Sequence, residues 1–311
     1  MKKYILVILA SLMVIFAGCQ PTDTKKNEEV GSPYMGGDKG VVTQFLKMGV
    51  FNEASNIEEI FAGEDFPIEL DVKNIGEADV DIDKITIKLS GIDLSEANFE
   101  PKIPDTIKNK EMLEGISEFN KLGSQEQVTF GIFKYKGNLV GNVIDLSFLA
   151  KIDYLYQTRV TAPRICLKYD LKDESLCQVS ESKQVFSSAA PIQAKSAIES
   201  SAGIGKVAVE FEIQNVGSGR VTTSDRDFDY RYNQLSFTVV STTPDMWECK
   251  ATSGGSTNIV RLDTTTGKAT INCKLKNALN KDDLKLDQLS LILDYKYRET
   301  IDKQLRVKKE N

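Results

Sequence analysis

Apolar and polar residues alternate in two similar stretches of the chain, and each stretch stops at Asn-x-Gly. The first is Phe66-Pro-Ile-Glu-Leu-Asp-Val-Lys-Asn74-Ile-Gly76, and the second is Val207-Ala-Val-Glu-Phe-Glu-Ile-Gln-Asn215-Val-Gly217. Successive side chains of a β-strand point to opposite faces, so each stretch places its apolar residues on one face. The pattern predicts two half-buried strands that end in turns, where Asn and Gly supply positive φ angles.

The same spacing recurs further along the chain. Asn74 and Asn215 are 141 residues apart (215 − 74). That offset also relates Val128–Ile132 to Ala269–Cys273 and Ile152–Tyr156 to Leu293–Tyr297, while Ile85–Leu89 matches Leu235–Val239 only at an offset of 150 (235 − 85). Recurrence at one spacing indicates a duplicated unit, with a longer loop in the second copy. The sequence predicts an all-β chain of two tandem antiparallel β-sandwich domains, at 41–177 and 191–311.

Two segments do not take part in the repeat. Residues 178–190 are rich in Ser and Ala, which predicts a linker between the domains. The first copy carries an insertion between Gly91 and Gly123, in which Met112, Ile116 and Phe119 have helical spacing and predict a short helix. The insertion either plugs the open end of the sandwich, which we favour, or carries binding residues.

Each copy also contains two tyrosines two residues apart. These are Tyr154 and Tyr156 in the first copy, and Tyr295 and Tyr297 in the second. Residues at this spacing share one face of a strand. We predict that the four tyrosines pack in the core or between sheets, with a platform for stacking sugars as the alternative.

Composition limits the chemistry of the chain. Its 311 residues are 41% hydrophobic with a formal net charge of −6, which is ordinary for a globular protein with two cores. The lysines are spread out, so nucleic-acid binding has little electrostatic basis. The sequence contains no histidine, which excludes Ser-His-Asp and Cys-His catalysis and zinc sites that use imidazole. We predict no cofactor and no nucleic-acid partner.

Two groups of alternating aspartates resemble calcium ligands in composition only. They are Asp79, Asp81 and Asp83, and then Asp225, Asp227 and Asp229. Neither has the Gly and Glu that an EF-hand loop requires at its sixth and twelfth positions. Carboxylates on the solvated face of strands and turns are the simpler account, so we predict no metal site.

The N-terminus has the features of an export signal. Two lysines precede an apolar run from Tyr4 to Ala17, which is too short to span a membrane comfortably and predicts a signal peptide over 1–18. Residues 19–40 are polar and predict a flexible tether.

The sequence Phe16-Ala17-Gly18-Cys19 resembles the lipobox of prokaryotic lipoproteins, with Phe16 where Leu, Val or Ile is usual. The resemblance implies lipidation of Cys19 and a location on the extracytoplasmic face of the cell membrane. The alternative is a plain secretory signal or an uncleaved anchor in which Cys19 is incidental.

The other four cysteines are Cys166, Cys177, Cys249 and Cys273. Four cysteines allow three pairings. We favour the local bridges Cys166–Cys177 and Cys249–Cys273, because they need no crossing between the two copies. Four reduced thiols are less expected in an exported protein, and no C-x2-C spacing supports a zinc site.

The two Asn-x-Gly stretches resemble the opening of CARDB-type domains, which are Ig-like, cell-adhesion-related modules of bacterial and archaeal surfaces. The resemblance covers about fifteen residues in each copy, and the 91–123 insertion departs from compact members. It implies two Ig-like domains and a non-catalytic binding, adhesion or envelope-structural role, with an envelope protein or polymer as partner. The alternatives are an accessory or solute-binding lipoprotein of a transport or secretion complex and, less favoured, a hydrolase that uses paired carboxylates.

Overall fold

The computed structural model describes residues 30–172, 177–241, 243–253 and 258–310. Apart from one 3-10 turn at Pro244–Met246, the regular structure of these residues consists of strands. They are β1 (Val41–Phe45), β2 (Val50–Asn52), β3 (Ile57–Phe61), β4 (Asp65–Asn74), β5 (Ile85–Ser90), β6 (Phe99–Glu100), β7 (Thr106–Lys108), β8 (Gln125–Tyr135), β9 (Val143–Lys168), β10 (Glu181–Lys183), β11 (Phe186–Ser187), β12 (Ile192–Gly203), β13 (Lys206–Asn215), β14 (Arg220–Thr222), β15 (Gln234–Ser241), β16 (Trp247–Ala251), β17 (Ile259–Arg261), β18 (Lys268–Leu275) and β19 (Leu284–Lys308).

These strands form three sheets. One is four-stranded, in the order β1-β4-β8-β6, and one is five-stranded, in the order β10-β12-β13-β18-β16. The third has ten strands with the main path β17-β15-β19-β9-β5-β7, joined by β2, β3, β11 and β14. Among the described strands, pairing is antiparallel except where β3 runs parallel to the end of β19. The all-β antiparallel prediction is therefore confirmed.

The two copies of the sequence repeat have the same strand arrangement. The order β1-β4-β8-β6 in the first copy corresponds to β12-β13-β18-β16 in the second, and β9-β5-β7 corresponds to β19-β15-β17. The strands β9 and β19 pair along nearly their whole length and join both copies in the ten-stranded sheet. Both copies lie in one compact unit, Ser32–Asn311.

Alternation in the sequence decides which side chains form the core. In β4 the residues Phe66, Ile68, Leu70 and Val72 are all buried, and the polar residues between them are only partly covered. Aromatic contacts then connect the sheets, since the ring centroids of Phe99 on β6 and Phe148 on β9 are 6.4 Å apart. Burial of such side chains stabilises by about 2 kcal/mol each.

The prediction of a short helix in the 91–123 insertion is wrong. Residues 110–120 are non-helical, and Phe119 is 99% exposed, so the helical spacing does not mark an apolar face. The backbone of this segment instead bonds to the first Asn-x-Gly turn: Leu113 forms a bridge with Val80, and Ile116 N–H donates to the Gly76 carbonyl. These long-range bonds use the groups that a helix would pair locally.

Residues expected to be a tether or a linker make specific contacts with the sheets. Within 178–190, β10 pairs with β12 and β11 pairs with β9, which ties this segment to both of those sheets. Nearer the N-terminus, the Tyr34 hydroxyl lies 2.9 Å from Thr161 Oγ1. Residues 34–40 therefore form part of the folded body.

Candidate functional site

The first Asn-x-Gly turn is held by the side chain of Asn74, which is fully buried. Asn74 Nδ2 donates to the carbonyls of Ala78 and Leu113, at 2.7 and 2.9 Å. Its Oδ1 accepts from Gly76 N–H at 3.2 Å and from the Tyr156 hydroxyl at 3.0 Å. Asn74 thus ties the end of β4 to the insertion and to the central strand β9.

The second copy repeats this unit around Asn215. Its Nδ2 donates to the Gly219 carbonyl at 2.8 Å, and its Oδ1 accepts from Gly217 N–H at 3.1 Å and from the Tyr297 hydroxyl at 3.0 Å. Tyr297 stands 141 residues after Tyr156, so the same pair of residue types closes both turns. Asn215 is only partly buried and lacks the second carbonyl partner of Asn74.

The two turn glycines serve close packing rather than a special backbone angle. Neither Gly76 nor Gly217 has a positive φ, so that part of the sequence prediction is wrong. A Cβ on Gly76 would lie 2.1 Å from the Tyr156 hydroxyl and 2.6 Å from the Ala189 carbonyl. A Cβ on Gly217 would lie 2.3 Å from the Tyr297 hydroxyl. Glycine is needed because the tyrosine hydroxyl approaches the backbone.

The four tyrosines form one buried cluster where the two copies meet. Ring centroids are 5.6 Å apart for Tyr154 and Tyr297, and 6.4 Å apart for Tyr156 and Tyr295. All four are at most 4% exposed, as predicted for core packing. Burial raises the pKa of each hydroxyl far above its usual value, so the cluster stays neutral.

The opposite face of the ten-stranded sheet carries one ion pair and one hydrogen-bonded pair, which join β9 and β19 beside the tyrosines. Arg298 on β19 donates through Nε and an Nη atom to both carboxylate oxygens of Asp153 on β9, and its guanidinium lies 4.1 Å from the centroid of the Phe228 ring. The related pair is Gln157 and Asp294, in which Nε2 donates to Oδ1 at 2.8 Å. Paired in this way, these groups stabilise the junction between the copies.

The described residues contain two disulfides, Cys166–Cys177 and Cys249–Cys273. They are the local bridges that the sequence analysis favours. Cys249 and Cys273 lie directly opposite each other on β16 and β18. Cys166 is buried on β9. Of the residues between Cys166 and Cys177, 173–176 lie outside the described part.

A buried ionic cluster lies beside the first disulfide. The carboxylate of Glu199 is fully buried, lies 2.9 Å from Lys183 Nζ and accepts from Cys166 N–H at 3.0 Å. Burial raises the pKa of Glu199 to about 7, although Cys166 N–H and Lys183 oppose the shift. Lys183 Nζ also donates to the Gln178 carbonyl at 2.6 Å. The cluster is internal and ties β9, β10 and β12 together.

An open groove of about 420 Å³ lies next to the first Asn-x-Gly turn. We name it the junction groove; its lining includes Tyr34, Met35, Glu77, Ile116, Phe119 and Arg159. The Glu77 carboxylate accepts from the backbone N–H groups of Met35, Gly36 and Ala189, at 3.0, 3.1 and 2.5 Å. This carboxylate therefore fixes the groove walls and has little capacity left for a ligand.

Most of these groove residues carry no signal in the sequence pattern. Glu77 follows Gly76 directly, at a position where the second copy has Ser218, so a departure from the repeat is the one available signal. Arg159 and Tyr34 come from distant parts of the chain, and only the fold brings them together. The helical spacing predicts Phe119 on a helix face, whereas its side chain is exposed to solvent.

The other candidate residues from the sequence either bond to neighbouring protein groups or lie outside the described part. Cys19 is outside it. Asp79 Oδ1 accepts from Gly115 N–H, and Asp229 pairs with Arg231, which lowers the pKa of Asp229 to about 2. No group of three or more Cys, Asp or Glu side chains in the described residues has the arrangement of a metal site.

The same described residues contain no helix that is long and apolar enough to span a membrane.

Comparison with known proteins identifies no family. No family model matches the chain, and no curated protein matches it. Among solved structures, a chain described as "The Triple Jelly Roll Fold and Turret Assembly in an Archaeal Virus" aligns with 91% of this chain and 100% of its own length, at 6% identity and a TM-score of 0.15. A TM-score this low carries no argument about fold or function.

Proposed function

We propose that this protein is a non-catalytic binding protein of the extracytoplasmic cell surface, attached to the membrane by a lipid on Cys19. Its role is adhesion or envelope structure, and the junction groove is the surface that contacts the partner, an envelope protein or polymer. The two disulfides support a location outside the cytoplasm, because disulfides persist in oxidising compartments.

The observation that carries a binding role is the side chain of Phe119. It is 99% exposed in a loop and lines the groove together with Met35, which is 46% exposed, so the two side chains form an exposed apolar patch. Contiguous exposed apolar patches mark interaction sites. Arg159 lies in the same groove and makes no ion pair within the part of the chain that the structure describes. Aromatic and arginine side chains dominate the energetics of protein interfaces.

Hydrogen bonds also hold in place the backbone segments that form the groove walls. The Glu77 carboxylate fixes residues 35, 36 and 189, and Gln193 Nε2 donates to the carbonyls of Gly37, Ser188 and Ala190, at 2.7, 3.0 and 2.9 Å. A preorganised surface loses little conformational entropy when it binds. This support favours recognition over a passive spacer role.

A solute-binding lipoprotein is the second candidate. Sites for small solutes are largely enclosed and have several polar groups that converge on the ligand. The junction groove is open, and the carboxylate of Glu77 is occupied by backbone donors. A hydrolase with paired carboxylates would need two uncommitted acids facing one another in a cleft. The groove geometry favours a macromolecular partner over both.

The location is tested by fractionating cells that produce the full chain or its Cys19→Ser variant. We expect the parent protein in the membrane fraction, accessible to protease from outside, with a mass that includes a lipid on Cys19. Cys19→Ser should leave the membrane fraction and keep both disulfides. A cytoplasmic protein with free thiols would contradict the proposal.

The groove is tested by measuring how the labelled full chain binds to cell envelopes from which the native protein has been removed. Phe119→Ser and Arg159→Gln should each weaken binding by roughly tenfold, as expected at an interface centre. Leu122→Ser is the matched control, since Leu122 is 75% exposed in the same loop but does not line the groove. Equal losses for all three variants would exclude the groove as the binding surface.

A further inference from the structure

The strands β2 and β3 form a short ribbon at one end of the ten-stranded sheet, which we name the edge ribbon (Val50–Asn52 and Ile57–Phe61). β3 pairs in parallel with Leu305–Lys308 of β19, and β2 pairs with β3 alone. Among the described residues, the outer edge of β2 has no strand partner. Backbone N–H and C=O groups on such an edge can pair with an added strand.

The edge ribbon exposes large apolar side chains. Val50 is 70% exposed, Phe51 51% and Phe61 47%. Val50 lies opposite Glu59, so Val50 and Phe61 share one face of the ribbon. On that face they border a depression of about 450 Å³. An exposed apolar edge strand is a liability that proteins usually cover.

The charges around this depression are mainly negative. Glu53, Glu59 and Glu64 line it, and Lys308 is the one basic residue among the lining residues. Lys308 Nζ is already engaged by Glu59 at 2.7 Å. Glu53 and Glu64 have no cationic partner within the described part of the chain, although Glu64 Oε2 accepts from Phe61 N–H at 2.9 Å. The surface therefore complements a positively charged ligand.

The geometry points to the edge ribbon as a docking site for an extended cationic segment of a partner protein, which adds as a strand along β2. One face of the added segment lies over the depression, where its central apolar side chains cover Val50 and Phe61 and a basic side chain at each end pairs with Glu53 or Glu64. A second copy of the chain fits less well, because pairing two β2 edges would bring these carboxylates together. The site is separate from the junction groove and does not depend on the function proposed for it.

The test uses the full chain and three fluorescein-labelled heptapeptides. The first, the Lys-Val peptide, has Lys at positions 1 and 7, Val at positions 3 and 5 and Thr between them, so that Lys and Val share one face of a strand. The second has Glu in place of Lys. The third keeps the Lys positions but has Val at positions 2 and 6, so that Lys and Val lie on opposite faces. Fluorescence anisotropy at low salt should show the Lys-Val peptide binding roughly tenfold tighter than either other peptide, with a loss at high salt. Hydrogen exchange should show slower exchange of the β2 amides only with the Lys-Val peptide that carries both residue types on one face.

Two variants and a control assign the binding to this surface. Val50→Ser and Glu53→Lys, both at exposed positions, should each weaken binding of the Lys-Val peptide by about fivefold to tenfold. Ile204→Ser is the control, since Ile204 is 80% exposed in the hairpin between β12 and β13. Equal binding of all three peptides would overturn the proposal. A dimer of the full chain that Val50→Ser dissociates would also overturn it, in favour of a second copy on β2.

Discussion

Leu155 and Lys296 lie directly opposite each other in the antiparallel pair formed by β9 and β19. They are also equivalent positions of the sequence repeat, 141 residues apart (296 − 155). A residue that pairs with its own repeat equivalent marks a local two-fold axis, so the two copies meet as the subunits of a symmetric dimer do. The axis explains why the tyrosine pairs and the Asp153–Arg298 and Asp294–Gln157 pairs surround this point.

The asparagine turns should contribute unequally to stability. Asn74→Ala removes the partner of the buried Leu113 carbonyl, of the partly buried Ala78 carbonyl and of the Tyr156 hydroxyl, and we expect a loss of about 3 kcal/mol in the free energy of unfolding. Asn215→Ala removes the partners of one carbonyl and of the Tyr297 hydroxyl at a partly exposed site, so it should cost about half as much. Chemical denaturation measures both.

Asn142→Ala provides the control for these changes, since Asn142 is exposed between β8 and β9. It should change stability by less than about 0.5 kcal/mol. Equal losses for Asn74→Ala and Asn215→Ala would show that the bond from Asn74 to the Leu113 carbonyl contributes nothing.

The glycine turns should respond differently to removal of the tyrosine hydroxyl. In Gly217→Ala the new Cβ meets the Tyr297 hydroxyl, so Tyr297→Phe in the same chain should recover a large part of a loss of about 2 kcal/mol. In Gly76→Ala the Cβ also meets the Ala189 and Lys39 carbonyls, which Tyr156→Phe leaves in place. A double-mutant cycle in each copy gives the coupling, and rescue at both sites would contradict this account.

The sequence predicted those features that depend on alternation within a strand. The apolar faces of β4 and β13, the burial of Tyr154 and Tyr297, and the all-β class follow from period-two patterns. The turn glycines were located correctly but for the wrong reason, because the approach of Tyr156 to Gly76 joins residues 80 positions apart (156 − 76). No local pattern contains that contact.

The candidate site was harder to predict because it depends on loops. Residues 110–120 contain helical spacing, yet their backbone groups bond to Val80 and Gly76. Tertiary hydrogen bonds overrode local propensity there. The groove formed by Tyr34, Glu77 and Arg159 exists only once β9, the insertion and the N-terminal segment are assembled, so no spacing rule could have found it.

The buried carboxylate of Glu199 should make stability depend on pH. Burial raises its pKa to about 7 in the folded protein, above the ordinary value of 4.5 for a glutamate. The folded state therefore holds the proton more tightly, and this contribution is present below pH 4.5 and is lost as the pH rises through 7. We expect the parent protein to lose about 3 kcal/mol relative to Glu199→Gln across this range.

Denaturation at a series of pH values checks this prediction, with the difference between parent and variant as the measured quantity. Glu210→Gln is the control, because Glu210 is exposed on the neighbouring strand β13. The free energy of unfolding of Glu210→Gln, plotted against pH, should run parallel to that of the parent protein. A parent curve that rises between pH 4.5 and 7 relative to Glu199→Gln would show instead that the pair with Lys183 lowers the pKa of Glu199.

The two-fold relationship also identifies a position where the copies differ. Thr158 Oγ1 lies 2.9 Å from the Tyr295 hydroxyl, and the equivalent of Thr158 in the second copy is Glu299. The equivalent hydroxyl, that of Tyr154, is buried and has no partner among the described residues. Glu299 is half-buried, and its desolvation raises the pKa of its carboxyl, with Lys39 opposing the shift.

Replacing Glu299 with the residue of the other copy should therefore stabilise the fold. Glu299→Thr removes a desolvated carboxylate and supplies a hydroxyl for Tyr154, so we expect a gain of about 1 kcal/mol at pH 8. Because a raised carboxyl pKa costs stability only where the group ionises, the gain should be smaller at pH 5. Thr158→Val, which leaves the Tyr295 hydroxyl without this partner, should cost about 1 kcal/mol at both pH values. Thermal unfolding measures both changes, with Glu210→Thr as the exposed control, and a loss of stability in Glu299→Thr at pH 8 would show that its attraction to Lys39 outweighs its desolvation.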